Sequence, residues 1–226
     1  MSVILKGEHL CRQFGSGNNT VHAVKDVSIA IESGKLTVLR GRSGSGKTTL
    51  INLLSTLDSA TSGTLLYEGK DLMRLPSAER DTYRREEIAI IFQSVALMSE
   101  MTAYENVEFG LRIAKVPGKE RKQRVENSLA LVGLQKRMTH LPDELSGGEQ
   151  QRIAIARAIS HEPKIIFADE PTAELDSLTA VQIVRLFKQI AREQNIGIVM
   201  TTHDPAMMEF ADIVYTMQNG EIVENE

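Results

Sequence analysis

The order of apolar and polar positions divides the chain into short segments. VILKGEHLCRQF (3–14), HAVKDVSIAI (22–31) and KLTVL (35–39) have the composition of strands, and the turn formers GSGNN and ESG separate them. SGTLLYEGKDL (62–72) predicts a further short hairpin. Three later runs, IAIIF (88–92), KIIFA (164–168) and GIVMT (197–201), are continuously apolar. Such runs, separated by helices, fit strands of a sheet buried on both faces. KTTLINLLSTL (47–57) spaces Leu50, Leu53, Leu54 and Leu57 as a helix does. Residues 97–160 are polar, helical in pattern and poor in strand signals. DIVYTMQNGEIVE (212–224) predicts a hairpin with Asn219-Gly220 as a type I′ turn.

The expected fold is therefore α/β: a mostly parallel sheet flanked by helices, with an antiparallel β subdomain and a helical insertion. A single domain over residues 1–226 is expected. Its core and antiparallel part cover 1–96 and 161–226, and the insertion covers about 97–160. Hydrophobic residues make up 42% of the 226, enough for a packed core and against disorder. A net charge of −4 argues against nucleic-acid binding by bulk electrostatics. The lone Cys11 forms no internal disulfide and fits a reducing compartment. No apolar stretch approaches the roughly 20 residues that span a bilayer, and no signal peptide is expected. Work at a membrane would then require another polypeptide as anchor.

GRSGSGKTT (41–49) sits between a strand and a helix. Gly41, Gly46, Lys47 and Thr48 have the Gly-x-x-x-x-Gly-Lys-[Ser/Thr] spacing of a phosphate-cradling loop. Successive backbone N–H groups over Gly41, Arg42, Ser43, Gly44, Ser45, Gly46 and on to Thr49 form an anion site, and the following helix adds its positive end. Lys47 reaches the β- and γ-phosphates in this scheme, and the Thr48 hydroxyl ligates Mg²⁺. A nucleoside triphosphate is the implied ligand. Asp169 and Glu170 end a buried strand, where two carboxylates are costly without a task. Asp169 is the expected second Mg²⁺ ligand, and Glu170 the group that orients or deprotonates water. An acidic helix start at Pro171 is the simpler alternative.

DELSGGEQQRIAIARAIS contains a capping box, Ser146 with Glu149, opening a helix. The box leaves Gly147 and Gly148 unexplained, since glycine is a poor helix former. Paired glycines at a helix start bare its N–H groups to an anion. The chain's own triphosphate already lies at residues 41–49, so this second site suggests a nucleotide shared with another subunit.

Taken together, these motifs resemble the ATP-binding subunit of ABC transporters over essentially the whole chain. GRSGSGKTT is similar to Walker A, IIFADE to Walker B, and LSGGE (145–149) to the signature motif, with Glu149 in place of the usual Gln. The resemblance places the Q-loop glutamine on Gln93, near Mg²⁺ or the attacking water. The D-loop aspartate falls on Asp176, and the switch histidine, which contacts the γ-phosphate, on His203. Phe14 resembles the aromatic that stacks on adenine, with an ordinary core Phe as the alternative. Arg40 and Arg42 depart from the small, apolar or proline residues usual there. His22, His140 and His161 carry no assigned task.

The resemblance implies ATP and Mg²⁺ as cofactors, ATP-dependent closure of a homodimer, and a separate integral membrane permease at the cytoplasmic face of the cell membrane. LPSAERDTYRREEIAIIFQ and MTAYENVEFGL are most similar to the lipoprotein-releasing and macrolide-exporter group. That likeness implies export or mechanical transmission for a lipid, lipoprotein, peptide or antibiotic. A soluble ABC-type ATPase acting as a nucleotide-gated switch is the alternative. The permease groove is expected near Gln93–Glu105, where Leu97, Met98 and Met101 are either a docking surface or core.

Overall fold

The structure, a computed structural model, describes residues 2–225. Strands β1 (Val3–Phe14), β2 (Val21–Glu32), β4 (Ser62–Tyr67) and β5 (Lys70–Asp71) form an antiparallel sheet in the order β2-β1-β4-β5. The second sheet contains β3 (Leu36–Arg40), β6 (Ile88–Ile91), β7 (Ile165–Ala168), β8 (Gly197–Thr202), β9 (Ile213–Gln218) and β10 (Glu221–Asn225). Its order is β10-β9-β3-β8-β7-β6, parallel except for the terminal hairpin. Asn219 and Gly220 both have positive φ, 50° and 87°, as the type I′ turn of that hairpin demands.

The helices are α1 (Lys47–Leu54), α2 (Ser77–Glu86), α3 (Ala103–Ile113), α4 (Gly118–Leu131), α5 (Gly147–Ile159) and α6 (Ser177–Gln194). Alternate residues of the buried strands feed two cores, because side chains switch face at each position. Val38, Ile166, Ile198 and Met200 meet the α3–α6 side, while Leu39, Phe167 and Val199 meet α1 and the antiparallel sheet. Helix α5 joins the insertion to the sheet: it packs on α3 and α4, and also on β6 and α6.

One expectation needs correction, and one alternative falls away. Helix α1 ends at Leu54, so Leu57 lies beyond it and is exposed; Thr56 turns into the left-handed region with φ 58° and stops the helix. No helix opens at Pro171 either. Residues 171–174 form a turn, and α6 begins at Ser177 because Asp176 accepts N–H bonds from Leu178 and Thr179.

Candidate active site

In register, Arg40 of β3 lies opposite Thr202 of β8, and Ala168 of β7 opposite Met200. The chain therefore emerges from three parallel strands at one edge, carrying residues 41–49, 169–170 and 203 to the same place. Gly46 caps α1 with φ 103°, and a Cβ there would lie 2.4 Å from the Ala23 carbonyl. Only glycine fits that close approach. The loop curls around Lys47, which is buried and donates from Nζ to the carbonyls of Gly41 (2.9 Å) and Arg42 (3.2 Å).

Thr48 Oγ1 donates to Asp169 Oδ2 at 2.8 Å. Glu170 places Oε1 3.9 Å from Lys47 Nζ and Oε2 3.4 Å from His203 Nδ1. An open cleft of ≈ 570 Å³ runs along Ser43, Gly44, Lys47, Thr48, Thr49 and Glu170. Glu170 also borders a smaller cavity of ≈ 140 Å³ that His203 lines. The Thr48–Asp169 pair offers hard oxygen donors. Among the described residues no group of three His, Cys, Asp or Glu side chains is placed to hold a metal. Such a sparse donor set suits Mg²⁺, which takes one or two protein ligands and completes its shell with phosphate and water.

Other predicted residues stand apart from this cluster. Gln93 is exposed just past β6 and, among the described residues, does not border the cleft. Its segment is tied to α5, since Arg157 donates to the carbonyls of Val95 (3.0 Å) and Ala96 (2.8 Å). Phe14 pairs with Val21 across the β1–β2 ladder; Val21 borders the cleft, whereas the Arg12 guanidinium lies 4.4 Å over the Phe14 ring. Arg40 turns away, donating from Nε to Thr216 Oγ1 at 2.7 Å.

Ser146 and Glu149 form the expected reciprocal capping box. Bonds from the Ser146 N–H and hydroxyl, with Arg137 adding to them, hold the Glu149 carboxyl below the usual range. Arg137 Nε lies 3.2 Å from Glu149 Oε1 and pairs with the charge that replaces the expected glutamine. Gly147 and Gly148 lie against Leu175 and Thr179 at the start of α6, which brings Asp176 beside the signature segment. The Gly148 contact is a packing reason for a small residue that the capping box left out.

Three contributors escaped the sequence reading. Thr201 bonds both acidic residues. The Asn219-Gly220 turn latches the loop, with the Gly220 N–H bonded to the Ser45 carbonyl at 3.0 Å. Lys25 borders the cleft from β2. For Thr201 a signal existed: with Thr202 it brings a hydroxyl to the end of a strand that is apolar up to that point and wholly buried.

The model of the ABC transporter family matches residues 24–173. The chain belongs to the ABC transporter ATP-binding family. An uncharacterized ABC transporter ATP-binding protein of Methanocaldococcus jannaschii is 38% identical over 221 residues, covering 98% of both chains. The macrolide export ATP-binding/permease protein MacB of Vibrio parahaemolyticus is also 38% identical over 221 residues, but this chain spans only 34% of its length. The dimeric ATP-binding cassette MJ0796, solved in a post-hydrolysis state with ADP and Pi, superposes with a TM-score of 0.87 at 34% identity. The match covers 98% of this chain and 97% of that one. This ABC protein is an ATP-binding subunit of a transporter, in a family that hydrolyses ATP. No helix of its described residues is long and apolar enough to cross a membrane.

Proposed function

We propose that the chain is the Mg²⁺-dependent ATPase that drives a separate membrane permease from the cytoplasmic face, working as a homodimer. The observation that carries this reading is the convergence of Lys47, Thr48, Asp169, Glu170 and His203 at one edge of the parallel sheet. Lys47 and the loop N–H groups hold the phosphates, and Thr48 with Asp169 would hold Mg²⁺. That ion, when bound, would supply positive charge to offset that of the phosphates. Glu170 accepts a proton from the water that attacks the γ-phosphorus as the bond to the ADP oxygen breaks. His203, next to Glu170, donates to the γ-phosphate as charge spreads over its oxygens. The Gln93 amide would meet Mg²⁺ or the attacking water. Phe14 supplies a face for adenine on rotation from Arg12.

Two copies close head to tail about a two-fold axis. Each ATP then lies between one copy's residues 41–49 and its partner's Ser146–Glu149, where the bare N–H groups of α5 meet the γ-phosphate. Asp176, beside them, reaches across the same seam. Export or mechanical transmission for a lipid, lipoprotein, peptide or antibiotic follows from the likeness to MacB and its group.

Glu170→Gln tests the reading. It removes the base but keeps shape, so the ATP-bound closed dimer accumulates. Size-exclusion chromatography with Mg²⁺ and ATP shifts this variant from monomer to dimer, and ADP leaves it monomeric. Adding Ser146→Arg blocks the shift while ATP binding persists. Failure to close, both alone and in the assembled transporter, defeats the shared site.

A further inference from the structure

Thr201 carries two bonds through one hydroxyl. It lies in β8 opposite Leu39, fully buried, and projects to the same sheet face as Val199, toward α1 and the phosphate loop. Its Oγ1 donates to Asp169 Oδ1 at 2.6 Å and accepts the Glu170 backbone N–H at 2.7 Å. A carboxylate accepts and an N–H donates, so the single hydroxyl proton goes to Asp169 and a lone pair to Glu170. The other oxygen of Asp169 is the one that meets Thr48. Glu170 has φ 46°, a left-handed conformation that a non-glycine residue keeps only where surrounding contacts hold it.

We infer that Thr201 is a positioning residue for hydrolysis, resting on the ATPase reading above. Its hydroxyl sets the Asp169 rotamer so that Oδ2 faces Thr48. The same atom pins the Glu170 backbone in the turn that aims its carboxylate between Lys47 and His203. Burial alone would favour valine here, because a buried hydroxyl is costly unless it is bonded. Its one donor and one of its lone pairs are used, and both bonds go to the acidic pair.

The test compares Thr201→Val, which keeps the shape, with Thr201→Ser, which keeps the hydroxyl, in the full chain. Thr201→Val is expected to lower kcat about tenfold or more, with KM for ATP changed by less than about threefold, since orientation rather than nucleotide contact is lost. A second readout needs no turnover: the ratio of affinities for a fluorescent ATP analogue in Mg²⁺ and in EDTA. That ratio falls in Thr201→Val and stays within about twofold of wild type in Thr201→Ser, as loss of a charge-assisted hydrogen bond predicts. If Thr201→Val does not fold, Thr201→Ser against Thr201→Ala isolates the same hydroxyl. Equal kcat and equal metal ratio in wild type and Thr201→Val overturn the inference, as does a Thr201→Ser enzyme as impaired as Thr201→Val. A wild type without Mg²⁺-dependent hydrolysis sinks the ATPase reading itself, and the inference with it.

Discussion

Lys47 shows what one residue does when its surroundings leave it one direction to act. Its ammonium is buried, held by two loop carbonyls, and among the described residues the acidic group paired with it is Glu170 at 3.9 Å. A buried cation so placed is matched to anionic oxygens entering the loop. Lys47→Ala is expected to weaken ATP binding by about two orders of magnitude, as removal of charge-assisted phosphate bonds does. Equilibrium binding of a fluorescent nucleotide measures it, and near-wild-type affinity excludes the phosphate-loop assignment. His203 differs, being exposed and, among the described residues, meeting the site through Glu170. His203→Ala should keep nucleotide affinity while hydrolysis falls at least about tenfold, a loss confined to the transition state. Equal losses in binding and turnover would make His203 a structural residue.

Between elements, the contact of α5 with α6 is set by one missing methyl. A Cβ on Gly148 would lie 2.6 Å from Thr179 Cγ2. Alanine gains about 1 kcal/mol of helix propensity there. Overpacking costs about 1–3 kcal/mol, so the clash is expected to win. Gly148→Ala should lower the melting temperature by roughly 2–4 °C per kcal/mol lost, and Thr179→Ser, which removes Cγ2, should restore it. An increase on Gly148→Ala alone would refute the packing account. At the other end of α5, His161 Nε2 contacts the Ile88 carbonyl at 3.1 Å. Burial pushes its pKa below the ordinary 6.5, helped by Arg124 and opposed by that carbonyl, Glu87 and Glu162. The unfolded chain therefore takes up the proton first, and stability declines as pH falls below 6.5. Above that value the residue costs nothing. Melting curves from pH 8 to 5.5 should show a steeper loss for wild type than for His161→Gln, which keeps a donor but does not titrate; parallel curves would acquit His161.

For the whole molecule, the proposed function requires movement to pass from the nucleotide edge to a membrane partner. The segment after Gln93 is held on both sides, by Arg157 and by the fully buried Asn106, whose amide donates to the carbonyls of Met98 (3.1 Å) and Met101 (2.8 Å). Leu97 packs on the α3–α6 core, while Met98 is 41% exposed. A fixed backbone with an adaptable side chain facing outward suits a hydrophobic contact. Met98→Glu should leave the melting temperature within about 2 °C, as exposed substitutions do. It should weaken recovery of the permease with the tagged chain from detergent-solubilised membranes. A marked fall in melting temperature would instead assign Met98 to the core.

Local pattern alone determined the strands, the glycine-rich loop before α1, the acidic strand end and the Ser146–Glu149 cap. Each depends on neighbours in sequence: buried strands need unbroken apolar runs, and a phosphate loop needs glycines before a helix. The end of α1 was misplaced because Leu57 kept the helical spacing while Thr56 had already left the helical conformation. Pro171 suggested a helix start, yet Asp176 carried the cap that opens one. Only the tertiary structure decided the contacts between distant strands. Thr201 meets Asp169 and Glu170 because β8 lies in register beside β7, and the Asn219-Gly220 turn reaches Ser45 because β9 lies beside β3. Strand order is set by how two cores close around one sheet, a property of all the strands at once that no single segment encodes.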